Sequence, residues 1–290
     1  IQQHSDCALL LPASRIPLGT PVLSQDPRMR IVCATVSGRS GPMLDGEDFE
    51  TLLVDEAAQT MEAWFWGLVR PSVRRIVMAG DVDQLPALVS QEGKNLGYDR
   101  SAMERLQMLE YPSTRLTEQR RMHPEIVDFV NRKFYKSTLT TNYTPTTSMF
   151  SGSPYLVQQV ECEEEPIGTS YQNQVEAEAV LSVAECLIRE GLPNTVILTA
   201  YQAQARLLLT HRSGIPIHTI DSFQGREADG VVLSIVRTSQ PGFWADVRRV
   251  VVALTRARHC LRIVGHALAW THTLKDLSDD AHDRQLLRSL

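Results

Sequence analysis

At 290 residues, with 43% hydrophobic and 22% charged side chains, the chain has globular composition and enough length to bury two modest cores. Its apolar runs fall well short of the roughly 18–20 residues a bilayer helix needs, and a formal net charge of −5 gives no overall basic footprint, so any nucleic acid would have to be met by a local groove. Cys7, Cys33, Cys162, Cys186 and Cys260 stand singly with no C-x-x-C pair, which speaks against a zinc site or a disulfide scaffold and fits a reducing intracellular compartment, cytoplasm or nucleus. The chain opens on Ile1 and its first residues lack a secretory pattern, so the start reads as a cut.

Short β-branched runs ending in Gly, Asp, Ser or Thr predict buried strands at 30–36, 51–55 and 74–79. A helix around 102–109 follows, and the YPST stretch at 111–114 marks a domain boundary. Pro124 suits a first helical position, and Ile126, Phe129, Val130 and Phe134 share one face of a helix over 124–135. The polar stretches 140–152 and 161–170 read as loops. Helices over 172–189 and 202–211 then alternate with strands at 195–199, 231–236 and 261–264, and the tail 277–290 reads as a solvated helix. Such alternation predicts a three-layer α/β architecture with mostly parallel sheets, its ligands gathering at the carboxyl ends of the strands.

Within this frame, LLVDEAAQ delivers two adjacent carboxylates, Asp55 and Glu56, to a strand end, with small Ala57 and Ala58 beside them. In a nucleotide hydrolase the first such acid holds Mg²⁺ and the second polarises the attacking water. An isolated Asp-Glu pair is more often just solvated, so neighbouring motifs must decide. The next strand ends in GDVDQLP, presenting the Gln84 amide where a terminal phosphate could be sensed. Arg120 and Arg121 precede the helix at Pro124; a loop guanidinium pair is usually a surface ion-pair partner, but near a nucleotide it can stabilise charge on a transferred phosphoryl group.

DEAAQ, GDVDQLP, EQRRMHP, TIDSFQGRE and VALTRAR occur in this order on the predicted strands and turns. Together they resemble motifs II to VI of superfamily 1 helicases of the Upf type, over about residues 31–265, with IVCATVSG resembling the preceding nucleic-acid-contacting motif. The resemblance implies tandem RecA-like P-loop NTPase domains: an incomplete first domain over 1–113, a second over 114–275, and a tail over 276–290. It also implies use of ATP and Mg²⁺. Asp55 would bind the metal, Glu56 would activate water, and Gln84 would couple the γ-phosphate to strand binding. Arg121 and Arg256 would reach the γ-phosphate, Glu227 would contact the ribose, and Arg120 stands where the family usually stacks a Tyr on the base. Thr35, Ser37, Thr219 and Ser222 would touch the backbone of single-stranded RNA or DNA, positioning it without reading sequence.

The sequence departs from this pattern in three places. It contains no G-x-x-x-x-G-K-[ST] phosphate loop: the Gly93-Lys94 pair has Leu88 where the earlier glycine belongs, Asn95 where the hydroxyl belongs, and lies after motif III. Arg120 replaces the usual Tyr, although a guanidinium plane also stacks on a ring. Val251 stands where Asn is common. The leading expectation is therefore an ATP-driven helicase or translocase of which this chain is a portion inactive alone, its phosphate loop supplied by the parent protein. The rival is a catalytically inactive, helicase-derived module that binds nucleic acid or a protein. A third reading, an unrelated P-loop-like transferase, is weakened by VALTRAR.

Overall fold

A computed structural model of the chain describes residues 8–11, 31–36, 48–145, 150–240 and 242–266. The chain forms two compact units, Ile1–Ser113 and Thr114–Leu290. Ser37 and the tail 277–290 lie outside the described residues.

In the first unit, β1 (Ala8–Leu11) pairs in parallel with β2 (Ile31–Ala34), and β3 (Thr51–Val54) pairs in parallel with β4 (Arg75–Met78). The β3–β4 crossover contains α1 (Glu62–Leu68), and α2 (Gln91–Asn95) and α3 (Ala102–Met108) follow. Ser90 and Ser101 start the last two helices by accepting hydrogen bonds from the Gly93 and Glu104 N–H groups at 3.2 and 3.0 Å, which satisfies otherwise orphaned donors. Val54, Ala57, Phe65, Leu68 and Ala102 form the core here, with Leu52, Met78 and Met103 packed against it.

The second unit begins with a two-residue parallel ladder between β5 (Glu118–Gln119) and β6 (Thr140–Thr141), with α4 (Pro124–Phe134) between them. Its main body is a five-stranded parallel sheet of β7 (Tyr155–Gln159), β10 (Thr195–Thr199), β11 (Ile217–Thr219), β12 (Ala228–Ser234) and β13 (Ala257–Gly265), in the order β11-β10-β12-β13-β7. All five residues of β10 are buried, the pattern of a central strand covered on both faces. Helix α5 (Gln174–Arg189) lays Ala177, Val180, Leu181, Ala184 and Leu187 on the sheet, and α6 (Gln202–Thr210) and α7 (Val247–Leu254) complete the layers. The protein is thus a mixed α/β chain with mostly parallel sheets, the three-layer architecture expected from the alternation of strands and helices.

Two loop expectations need correction. Residues 161–170 overlap an antiparallel hairpin, β8 (Glu165–Ile167) with β9 (Ser170–Gln172), closed by a two-residue turn in which Gly168 has φ of 62°. All of β8 is exposed, so no alternation of polar and apolar residues announced a strand, while the turn glycine supplies the positive φ a tight hairpin needs. Thr140 and Thr141, within the expected loop 140–152, form β6 instead. Among the described residues no helix is long and apolar enough to cross a membrane.

Candidate nucleotide and strand sites

In the first unit the parallel register of β3 and β4 brings DEAAQ and GDVDQLP side by side. The Ala57 N–H donates to the Ala79 carbonyl at 2.8 Å and the Ala79 N–H to the Val54 carbonyl at 2.9 Å. Gly80 is required at this meeting point, because a Cβ there would lie 3.0 Å from the Ala58 nitrogen and 3.1 Å from that of Ala57. The backbone then turns sharply: Glu56 has φ of 52°, a left-handed conformation costly for a residue other than glycine. That turn sets the Glu56 carboxylate against the Gln59 amide, which donates to it at 2.6 Å, while the Glu56 N–H donates to the Asp55 carboxylate at 3.0 Å. Both acids are exposed. On the neighbouring strand end, the Gln84 amide donates to Asp81 at 3.0 Å.

In the second unit Gln119, Arg120, Arg121, Met122, Glu227 and Arg258 line a hollow of about 460 Å³. Gln119 shapes its wall: its side-chain Oε1 accepts from the Arg121 and Met122 N–H groups at 3.0 and 2.8 Å, and its Nε2 donates to the Met122 carbonyl at 2.9 Å. Glu227 stands between two guanidinium groups, with Arg121 Nε at 2.6 Å and Arg258 Nη1 at 3.6 Å. Arg121 also donates to the Thr255 carbonyl at 3.1 Å. Arg120, with 74% of its side chain exposed, is held by Glu118 at 2.6 Å. Three arginines, two of them sharing the Glu227 carboxylate, make this hollow suited to a polyanion that also carries hydroxyls.

Arg256 is placed differently from Arg121. It is 2% exposed, and its guanidinium donates to the Val252 carbonyl at 2.9 Å, the Arg226 carbonyl at 3.3 Å and the Thr255 hydroxyl at 2.7 Å. It closes the end of α7 in this conformation. Arg258, two residues on, lines the hollow instead; sequence reading missed it, although the second Arg of VALTRAR was a visible signal. Behind Arg258 lies a polar cluster in which Asp229 is 3.6 Å from His259, and the His259 ring is hydrogen-bonded to the Tyr143 hydroxyl. Burial, helped by Arg258 and His123 and opposed by Asp229, holds the His259 pKa below the usual imidazole value.

Thr219 ends β11, and its hydroxyl donates to Ser222 Oγ at 3.1 Å across the short turn Asp221–Phe223, so these two strand-site candidates are neighbours. Thr35 follows β2 and is exposed. At the carboxyl end of β12, sequence reading also missed a buried network. Glu176, fully buried on α5, accepts from the Val236 N–H at 2.9 Å and from the Ser234 hydroxyl, while Gln204 donates to Ser234 at 3.1 Å and accepts from the Asn173 N–H at 2.8 Å. Burial pushes the Glu176 carboxyl up to about 8.

Models of the AAA domain match residues 27–92 and 98–268. The chain belongs to the AAA-domain family. Its relatives identify it as a superfamily 1, Upf1-like helicase sequence. It is 33% identical over 266 residues to an ATP-dependent helicase of Methanocaldococcus jannaschii, covering 81% of this chain and 39% of that protein. It is 30% identical over 288 residues to the Regulator of nonsense transcripts 1 homolog of Neurospora crassa, covering 86% of this chain and 26% of that one. With the probable helicase senataxin of Mus musculus it shares 30% identity over 89% of this chain and 11% of the relative. The helicase-family chain therefore spans between about a tenth and two fifths of the length of these relatives. Its fold is similar to that of arterivirus nonstructural protein 10, a helicase solved with DNA, at a TM-score of 0.50 and 16% identity, over 92% of this chain and 49% of that one.

Proposed function

We propose that this chain is the motif II to VI portion of an ATP-driven helicase or translocase on single-stranded RNA or DNA. In this reading the phosphate-binding loop comes from residues outside these 290. The observation that carries it is the second-unit hollow, where Arg121 and Arg258 meet Glu227 and Arg120 lines the same wall, combined with the paired acids at the end of β3. Mg²⁺ commonly binds through one or two carboxylates plus substrate phosphates, and the exposed Asp55–Glu56 pair fits that need.

Bound there with ATP, the ion would supply charge neutralisation on the phosphate oxygens. Asp55 holds it. Glu56, fixed by its left-handed turn and by the Gln59 amide, orients the attacking water and accepts its proton at a carboxylate oxygen. Gln84 links phosphate state to the strand. Arg121 leaves Glu227 to stabilise charge on the transferred phosphoryl group, and Glu227 is then free to accept from ribose hydroxyls. Arg256 reaches the γ-phosphate only after giving up its bonds to the Val252 and Arg226 carbonyls. Thr35, Ser37, Thr219 and Ser222 hold strand phosphates and sugars, and Arg120 packs against the base.

The test is Glu56→Gln in the ATP-hydrolysing protein. Turnover should fall by about 10²-fold or more, as expected for loss of a general base, while a fluorescent ATP analogue still binds. Undiminished turnover would remove Glu56 from this role.

A further inference from the structure

At the carboxyl end of β12 the chain makes a tight γ-turn: Val236 has φ of 71°, and the Arg237 N–H donates to the Ile235 carbonyl at 2.8 Å. This form is rare and strained for a β-branched residue. Glu176 holds the turn from beneath by accepting the Val236 N–H, and the turn directs Arg237, Thr238 and Ser239 toward one point. The carboxylate of Glu164 occupies that point. Its Oε2 accepts from Arg237 Nε at 2.9 Å, from the Thr238 N–H at 2.6 Å and from the Thr238 hydroxyl at 3.4 Å, and its Oε1 accepts from the Ser239 hydroxyl at 3.3 Å. The Arg237 guanidinium also lies 3.9 Å from the centre of the Tyr171 ring, which fixes its plane.

One guanidinium, one backbone N–H and two hydroxyls converging on two oxygens form the donor set that binds phosphate oxygens. The occupant comes from residues 161–164, which have no helix or strand, in a run where Glu161, Glu163 and Glu165 are exposed. Carboxylates here would repel an approaching polyanion for as long as the segment stays in place. We propose that Glu164 is an internal stand-in for phosphate, masking an anion site of Arg237, Thr238 and Ser239 that a backbone phosphate of single-stranded nucleic acid takes when it displaces the acidic segment. Desolvation raises the Glu164 pKa, but the Arg237 and Thr238 hydrogen bonds and the Arg237 charge outweigh it and keep the carboxyl below its usual value, so the plug is an anion at neutral pH.

The proposal rests on the reading of this chain as a strand-binding protein, and binding alone tests it. Fluorescence anisotropy of a labelled oligo(dT), without nucleotide and over a series of salt concentrations, is measured for wild type, Glu164→Gln, Glu164→Ala and Glu164→Gln/Arg237→Gln. Glu164→Gln keeps an acceptor for the turn but removes the charge, so it serves where Glu164→Ala does not fold. Removing the plug should tighten binding by about 3- to 10-fold, because the phosphate no longer has to displace a carboxylate, with the slope of log K against log salt unchanged, since wild type and variant make the same phosphate contact. The added Arg237→Gln change should cancel the gain and make the slope shallower by about 0.7, the value for one single-strand phosphate contact. Equal affinity in wild type and Glu164→Gln, or weaker binding in Glu164→Gln, overturns this proposal and leaves the strand-binding reading standing. Absence of binding in every variant overturns both.

Discussion

Replacing Arg256 with Ala separates two roles that a family motif merges. While 2% exposed, the guanidinium donates to two backbone carbonyls, one in α7 and one just before β12, and to the Thr255 hydroxyl. A hydrogen bond from a charged donor contributes about 1.5–3 kcal/mol, and a buried acceptor left unsatisfied costs about 1–3 kcal/mol. These terms overlap rather than add, so Arg256→Ala should destabilise the second unit by about 3 kcal/mol. For a domain of this size each kcal/mol moves Tm by about 2–4 °C, which predicts a drop of about 6–12 °C. Arg256→Lys keeps the positive charge near the helix end but not the three-way geometry, and should lose about half as much. Thermal unfolding by circular dichroism, with hydrogen exchange over β12 and β13 to place the change, measures it. A Tm drop below about 2 °C, on the same scaling, would refute the reasoning. It would mean that the side chain is not part of the fold's support and is held ready for a ligand.

Further predictions follow from other residues. Glu176 is raised to about 8 in the folded chain, against 4.5 for an ordinary Glu, so between these values the native state holds a proton that the unfolded state has released. Stability should therefore fall as pH rises from about 4.5 to 8, with this group contributing at most about 1.4 kcal/mol per pH unit. Urea unfolding from pH 5.5 to 8 should show that decline reduced in Glu176→Gln; an unchanged slope would assign it elsewhere. Gly80→Ala forces a Cβ against the Ala57 and Ala58 backbone nitrogens, which cannot yield as a side chain does, and should cost about 1–3 kcal/mol, read as lost exchange protection over β3 and β4. Glu227→Gln removes the anion shared by Arg121 and Arg258, so a polyphosphate should bind more tightly by titration calorimetry; weaker binding would show that Glu227 organises the hollow rather than occupying its cations.

The parallel sheet of the second unit was legible because burial on both faces writes itself as continuous apolar runs, as in Thr195–Thr199. Its edge strands were not: β7 and β11 are short and only partly covered. No element was assigned over helix α7, because the consecutive valines Val250 to Val252 carry no helical signal; Asp246 starts it by accepting the Arg248 N–H at 3.1 Å, and burial of Val250 to Leu254 outweighs the weak propensity. At the sites, the adjacency of DEAAQ and GDVDQLP was implicit in their both ending parallel strands. The burial of Arg256 was not, since nothing in VALTRAR says that one guanidinium closes a helix while the next lines a hollow. Glu164 and Glu176 were equally opaque, because a glutamate in a polar loop or on a helix looks solvated until its donors are seen.

The central claim is that these motifs belong to a strand-coupled ATPase. The most direct test is steady-state ATP hydrolysis, with and without single-stranded RNA or DNA, by this chain and by the chain extended at its amino end. Hydrolysis in the extended protein alone, stimulated by the strand and abolished by Glu56→Gln, is the predicted result. Strand binding without hydrolysis in either protein would contradict it and leave a catalytically inactive binding module.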